Sequence, residues 1–250
     1  MRYITILAIS MIVLSCPLVA GTIDPNTPDS KYIEYGSKFK CVAKLTGTNS
    51  FNQMYVASAV IINKNWIVTA AHVVDGSKTV KIIDYKNIEH CITNIIINQN
   101  YQENIFGTAD IAVGYSPTEI NSDFYPELYE QDTEVGKICA IAGYGVTGNF
   151  NTGSIISDGI KRGGSNIVEE IDRDLLICIA SKNFFDGKTS LEFLICHGDS
   201  GGGLFIDKKL AGINSCVIAT DGKPNSTYGD HSGHTRISKY AGWIKKQLAQ

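Results

Sequence analysis

Short apolar, β-branched runs recur along the chain between turn signals. They are Cys41–Leu45, Val56–Ile62, Trp66–Ala70, Thr79–Asp84, Ile95–Ile97, Asp110–Gly114, Lys137–Ala142, Leu175–Ala180, Gly203–Ile206, Leu210–Val217 and Thr235–Ile237. Runs this short between turn signals predict strands rather than helices. Only the tail changes period: Ile237, Tyr240, Ile244 and Leu248 fall at helical spacing, while Lys239, Lys245 and Lys246 point elsewhere. No amphipathic helices separate the strand runs, so the pattern predicts an all-β barrel or sandwich and excludes a βαβ fold. No repeat or low-complexity linker marks a further domain.

The chain has 250 residues, 44% hydrophobic, with a formal net charge of −3. That is enough for one β domain or two small ones with a real core. No basic run recommends nucleic acid or an anionic membrane as partner. Arg2 precedes an apolar stretch from Ile4 to Leu14, followed by Pro17, Ala20 and Gly21. This reads as a signal peptide over residues 1–20, cut after Ala20 or Gly21, and makes the protein secreted or periplasmic. Serine, threonine and proline interrupt the stretch, which is short for a bilayer span. Val13-Leu14-Ser15-Cys16 loosely resembles a lipoprotein signal, leaving tethering through Cys16 as a minor alternative.

Six cysteines remain beyond the signal: Cys41, Cys91, Cys139, Cys178, Cys196 and Cys216. An even count in a secreted chain points to disulfides, although spacing does not choose the pairing. No cysteine or histidine cluster has zinc spacing, and neither metal nor cofactor is expected.

Chemistry concentrates in Cys196-His197-Gly198-Asp199-Ser200-Gly201-Gly202-Gly203. A serine hydroxyl attacks only when a base takes its proton, and the oxyanion it creates needs backbone N–H donors. Glycines on both sides let the chain turn sharply and present those donors. The strand run Trp66–Ala70 leads through Ala71 to His72, a side chain suited to accept a proton near neutral pH. Thr108-Ala109-Asp110 places one carboxylate at the start of another apolar strand. The order His72, Asp110, Ser200 is one of the known orders of the serine triad.

On Thr69-Ala70-Ala71-His72, Asp110-Ile111-Ala112 and Gly198-Asp199-Ser200-Gly201-Gly202, the chain resembles the chymotrypsin/trypsin family of secreted serine endopeptidases. Gly143-Tyr144-Gly145, Gly212-Ile213-Asn214-Ser215 and a closing helix with Trp243-Ile244-Lys245 extend the resemblance from about residue 40 to the end. It implies two antiparallel six-stranded β-barrels and a C-terminal α-helix over residues 38–250, with a boundary near residues 115–135. Residues 21–37, rich in Pro, Asn, Asp and Ser, are then a surface arm. A monomer acting on protein or peptide substrates is expected, with neither nucleic acid nor a transmembrane span.

The resemblance also assigns roles. Ser200 is the nucleophile, His72 the base and Asp110 the carboxylate that orients it, with Ser215 bonded to Asp110. The N–H groups of Gly198 and Ser200 form the oxyanion hole. Counting from Ser200 puts Leu194 at the pocket floor, followed by Ile195, with Val217 on the wall and Ser232 at the rear. A floor without a carboxylate implies cleavage after apolar residues, although Glu192 or Asp186 in the long segment Ser181–Phe193 could reach in. Cys216 is the nearest partner for Cys196. The loop disulfide many relatives have beside the histidine is missing, since Val73 and Tyr55-Val56-Ala57 stand at its two ends. His197 is expected in the cleft, His231 and His234 near the rear of the pocket, and His90 on the surface.

The family's zymogens are cut before Ile-Val-Gly-Gly, and the new ammonium pairs with the aspartate preceding the nucleophile. That aspartate is Asp199 here, but no Ile-Val-Gly-Gly occurs, and Ile33-Glu34-Tyr35-Gly36 lies too close to Cys41 to insert. Backbone N–H groups or a nearby polar side chain are therefore expected around Asp199, with signal removal sufficient for activity. Two alternative readings fit parts of the sequence. Gly198–Gly202 also fits the nucleophile elbow of α/β-hydrolases, with Asp221 and His231 or His234 following, but the residues around it read as β. A catalytically silent homologue serving as a binding module is the other; it would be expected to have lost a member of the triad.

Overall fold

Alternating buried and outward positions curl the chain into two antiparallel sheets of seven strands each, beside a third sheet of four. The computed structural model describes residues 21–105, 107–180 and 189–249. The signal stretch with Cys16, and Asp186, lie outside the described residues. Described residues begin with β1 (Thr22–Ile23) and α1 (Asp29–Ser37). The first large sheet holds β2 (Val42–Thr48), β3 (Met54–Ile61), β4 (Trp66–Thr69), β5 (Thr79–Ile83), β6 (Glu89–Cys91), β7 (Asn94–Ile97) and β8 (Ala112–Tyr115), with the short α2 (Ala71–Val74) after β4. Its order is β6-β5-β2-β3-β4-β8-β7. In β2 every second side chain turns inward, and Leu45 joins Ile61, Ile67, Ile82 and Ile111 in a core closed to solvent.

The chain crosses to the second sheet between Tyr115 and Ile138. There follow β9 (Ile138–Gly143), β10 (Thr147–Asn149), β11 (Gly153–Ile156), β12 (Arg162–Ile167), β13 (Glu170–Asp172), β14 (Leu175–Ile179), β15 (Phe193–Leu194), β16 (Gly203–Ile206), β17 (Lys209–Ile218) and β18 (His231–Arg236). The second sheet runs β12-β9-β16-β17-β18-β14-β13, and the four-stranded sheet β11-β10-β1-β15. Short edge strands such as β6 and β13, three residues each, bring each large sheet to seven strands where six were expected. The closing helix α3 (Ile237–Leu248) buries Ile237, Tyr240 and Ile244 in the first core, which also receives Ala142, Phe205, Leu210 and Ile213 from the second sheet. The two halves thus share apolar surface, the main favourable term in folding.

Residues 21–37 are not a surface arm. Gly21–Asp24 are buried, and β1 lies parallel to β10 and antiparallel to β15. The polar composition of this stretch masks two apolar anchors: Ile23, and Tyr32, which is fully buried with its ring 6.5 Å from that of Phe193. Helix α1 lies so close to β12 that a Cβ on Gly36 would stand 2.6 Å from the Arg162 carbonyl carbon. Arg162, its side chain 3% exposed, grips Asp29 through Nε at 2.6 Å and Nη2 at 2.7 Å, and reaches Asp158 through Nη2 at 2.8 Å. Such two-pronged pairs hold position as well as charge.

All six thiols are free, so the Cys196–Cys216 bridge is not formed; Cys196 instead packs on Val146. The Cys139 and Cys178 sulfurs stand 3.8 Å apart in the second core. His90, expected on the surface, is buried, with Nε2 3.1 Å from Asp84 Oδ2 and Nδ1 3.0 Å from Thr118 Oγ1. The β5–β6 hairpin folds it over Asp84, which supplies the polar partner a buried imidazole requires.

If Tyr32 anchors the N-terminal segment, Tyr32→Ala should lower the free energy of unfolding by about 3–5 kcal/mol, the range for emptying an aromatic site. Tyr32→Phe, which keeps the ring and loses the hydroxyl's bonds, among them the one accepted from Asp24 N–H at 3.3 Å, should cost about 1 kcal/mol. Denaturant midpoints of the two variants measure the difference.

Candidate active site

The core strand β4 carries Ile67 and Val68 inward and ends at Ala70 in extended backbone, after which α2 turns His72 onto the rim of the first barrel. Asp110 stands just before β8, after Ala109 at φ +51°. Its carboxylate holds His72 twice: Oδ1 accepts the His72 backbone N–H at 2.9 Å, and Oδ2 lies 2.8 Å from Nδ1. Ser215 on β17 donates to the same Oδ2 at 2.5 Å, and Thr235 on β18 donates to the Asp110 carbonyl at 2.9 Å. Burial pushes the Asp110 carboxyl up, but the bonds from His72 and Ser215 outweigh it and hold the group below the ordinary carboxylate range. Asp110 is therefore ionised at neutral pH.

Ser200 lies in the turn between β15 and β16. Its carbonyl accepts Ser58 N–H at 2.9 Å, and the next two N–H groups are tied to Asn214 O and Asp199 O, each at 2.8 Å. A Cβ on Gly201 would stand 2.0 Å from Thr69 Oγ1, so the first barrel's approach requires glycine there. His72 and Ser200 line one cleft of about 280 Å³. No hydrogen bond joins their side chains in this structure.

The Gly198 N–H expected in an oxyanion hole belongs to a peptide whose carbonyl, His197 O, accepts Val146 N–H at 2.8 Å. In a trans peptide the N–H points opposite its carbonyl, so the Gly198 donor faces away from Val146. Asp199 has no exposed surface. Its Oδ1 accepts Gly145 N–H at 2.8 Å, and its Oδ2 accepts Cys196 N–H at 3.0 Å and Gly21 N–H at 2.8 Å. Burial outweighs these donors and raises the carboxyl to about 7. Backbone donors around Asp199 were expected; Gly21 among them was not.

Of the expected pocket residues, Ile195, Ser215 and Val217 line the cleft, with Cys216, Pro224 and the exposed His197. Leu194 and Ser232 do not. Leu194 turns into a small core with Phe150 and Ala180, and the buried Ser232 hydroxyl accepts Ile195 N–H at 2.9 Å. Glu192 is buried beside Ser165. His234 binds the buried Asn214 side chain instead of lining the pocket. Asn214 spends Nδ2 on Ala142 O and Asp199 O, so its Oδ1 accepts from His234 Nδ1 at 2.9 Å. Full burial lowers His234 to about 3 and keeps it neutral.

Ser58 was not singled out by sequence. Its hydroxyl lies 3.0 Å from Gly198 O and accepts Tyr144 N–H at 2.9 Å. The available signal was one hydroxyl inside the apolar run Val56–Ile62. Among the described residues no group of three or more His, Cys, Asp or Glu could hold a metal ion, and no helix is long and apolar enough to cross a membrane.

Comparison with known proteins agrees with this architecture. The trypsin family matches residues 33–244. Brachyurin of Leptuca pugilator is 25% identical over 212 residues, covering 78% of this chain and 89% of that protein. Kallikrein 1-related peptidase b22 of Mus musculus is 23% identical over 267 residues, covering 96% and 98%. Among solved structures, HL collagenase superposes with a TM-score of 0.68 at 21% identity, covering 86% of this chain and 96% of that one. Neuropsin, a serine protease of mouse brain, gives 0.63 at 20%, covering 85% and 96%. The two curled sheets with their closing helix are thus the chymotrypsin fold, and the chain belongs to the trypsin family as a serine-type endopeptidase.

Proposed function

We propose that the protein is a secreted endopeptidase in which Ser200 attacks the scissile carbonyl, His72 carries the proton and Asp110 orients His72. The observation that carries this reading is the Asp110 carboxylate shared between His72 Nδ1 and Ser215 Oγ, at the edge of the cleft that His72 shares with Ser200. An ionised Asp110 keeps the proton on Nδ1 and leaves Nε2 free as acceptor. His72 takes the Ser200 proton, delivers it to the leaving amine, and then activates water against the acyl-enzyme. Gly198 and Ser200 N–H groups bind the oxyanion. Ser200→Ala should lose at least roughly a thousandfold in kcat/KM on a casein-type substrate. Unchanged hydrolysis would end the reading, and failure of Ser200 to react with an organophosphonate probe would favour the silent homologue.

The described cleft walls of Ile195, Cys216 and Val217 carry no carboxylate. A cationic side chain entering them would be desolvated without a partner, so we assign cleavage after apolar residues, medium aliphatic ones before large aromatics. Peptide-library profiling should show that preference; dominant cleavage after Arg or Lys would refute it.

Activation follows from Gly21. Signal removal after Ala20 would turn the Gly21 nitrogen, already 2.8 Å from Asp199 Oδ2, into an α-ammonium. Only glycine fits, since a Cβ would meet the Phe193 ring at 2.1 Å. Without a cation, ionising Asp199 costs stability as pH rises from the ordinary carboxylate range through about 7; a facing ammonium removes that cost. Protein beginning at Gly21 should be active without further cutting. Keeping Ala20 should lower activity about tenfold or more, and activity should fall as pH rises beyond the α-amino range of about 8. N-terminal sequencing beside activity decides it: protein starting at Gly21 that stays inert until cut near Lys31 or Lys38 would restore a separate zymogen step.

A further inference from the structure

Two consecutive peptides form the backbone wall ahead of Ser200, and each is fixed through its carbonyl. His197 O is held by Val146 N–H at 2.8 Å. Gly198 O is held by a side chain from the other barrel, the Ser58 hydroxyl on β3 at 3.0 Å. The direction of that bond is settled by proton count. Tyr144 N–H can only donate, and it donates to Ser58 Oγ at 2.9 Å. The single hydroxyl proton is then directed at the Gly198 carbonyl. The bonds run Tyr144 N–H to Ser58 Oγ, then Ser58 O–H to Gly198 O.

Ser58 is itself held at both ends of its backbone. Its N–H donates to Ser200 O and its carbonyl accepts from Thr69 Oγ1, each at 2.9 Å. It has no exposed surface, so water cannot replace its hydroxyl. Gly198 has φ +86°, in the left-handed region, where its neighbours must hold the peptide planes in place. Tyr144 and Val146 flank Gly145, whose N–H goes to Asp199, in the segment between β9 and β10. The Ser58 hydroxyl thus joins the Gly145 and Val146 N–H groups in setting the spacing between that segment and the Ser200 loop.

We propose that Ser58 is a positioning residue for the oxyanion site, holding the Gly198–Asp199 peptide so that the Gly198 and Ser200 N–H groups stay turned to the cleft. This rests on Ser200 being the nucleophile. Donors aimed at a developing oxyanion act through their fixed placement. Removing the Ser58 hydroxyl leaves Gly198 O and Tyr144 N–H without their partner in a site closed to water, and the loop turns to find other donors. The ground-state complex, held by the cleft walls, is little affected. The loss falls on the transition state and appears in kcat.

The experiment is steady-state kinetics of Ser58→Ala and Ser58→Thr with active sites titrated, so that rates refer to competent molecules. Ser58→Ala should lose about tenfold to a hundredfold in kcat per titrated site, within the reach of one oxyanion donor, with KM changed less than about twofold. Affinity for a peptide boronate, whose tetrahedral adduct places an oxygen at the oxyanion site, should fall by the same factor. Ser58→Thr, which keeps the hydroxyl, should recover most of the rate. A Ser58→Ala rate per site within about twofold of wild type would overturn the proposal, and so would equal losses in the alanine and threonine variants, which would assign the effect to packing. Should the alanine variant not fold, Ser58→Cys, with its weaker donor, should fall between wild type and complete loss on the same readouts. Failure of the nucleophile assignment would look different, because Ser200→Ala would then keep its activity.

Discussion

The buried Asp199 carboxylate constrains everything around the cleft. An isolated charge in a protein interior costs several kcal/mol, and burial carries Asp199 up to about 7 even against the backbone donors that favour its ionised form. Its three donors come from distant parts of the chain: Gly21 at the start of the described residues, Gly145 after β9, and Cys196 in its own loop. Moving any one of these segments removes a donor from the buried carboxylate, and moving Gly145 leaves Oδ1 without its bond. The N-terminal strand, the segment after β9 and the Ser200 loop therefore form one polar unit inside an apolar shell.

That unit stands on a shared interface. Ala142, Phe205, Leu210 and Ile213 from the second sheet enter the core of the first, and α3 returns to close it. The polar counterparts cross in both directions. Ser58 and Thr69 from the first barrel bind the Ser200 turn or its support, while Ser215 and Thr235 from the second hold Asp110. Sliding one barrel against the other would break both sets together. The site is rigid because it is the seam, and a seam of packed strands resists continuous deformation.

Much of this was legible in the sequence, and the remainder has physical reasons. The strands of the first barrel other than β6 were readable because apolar and β-branched residues dominate their runs. The segment Arg162–Ile167, reading Arg-Gly-Gly-Ser-Asn-Ile, was not, because close approach to α1 and β9 demands glycine where a strand pattern demands β-branched residues. Residues 21–37 misled through composition, since two apolar anchors carry their burial. His72, Asp110 and Ser200 could be named because each sits in a short local motif. Leu194 and Ser232 could be located by counting, yet the direction of their side chains depends on neighbours that counting does not reveal. Ser58 and Gly21 act through contacts 140 and 178 residues away, a separation no local pattern records.

The geometry around Asp110 suits the chemistry proposed for the seam. Because Oδ1 takes the His72 backbone N–H and Oδ2 the ring nitrogen, one carboxylate fixes both the main chain and the side chain of the same residue. Ring rotation would break the second bond without loosening the first, so His72 has one bonded orientation. Ser215, bonded to the same Oδ2, keeps that oxygen satisfied even when the ring is displaced. In the role proposed for it, His72 accepts and returns a proton, and such a group cannot itself be held by strong bonds at the reacting nitrogen. Its constraints have to come from the far side. In this fold they come from a carboxylate supplied by one barrel and held in place by strands of the other.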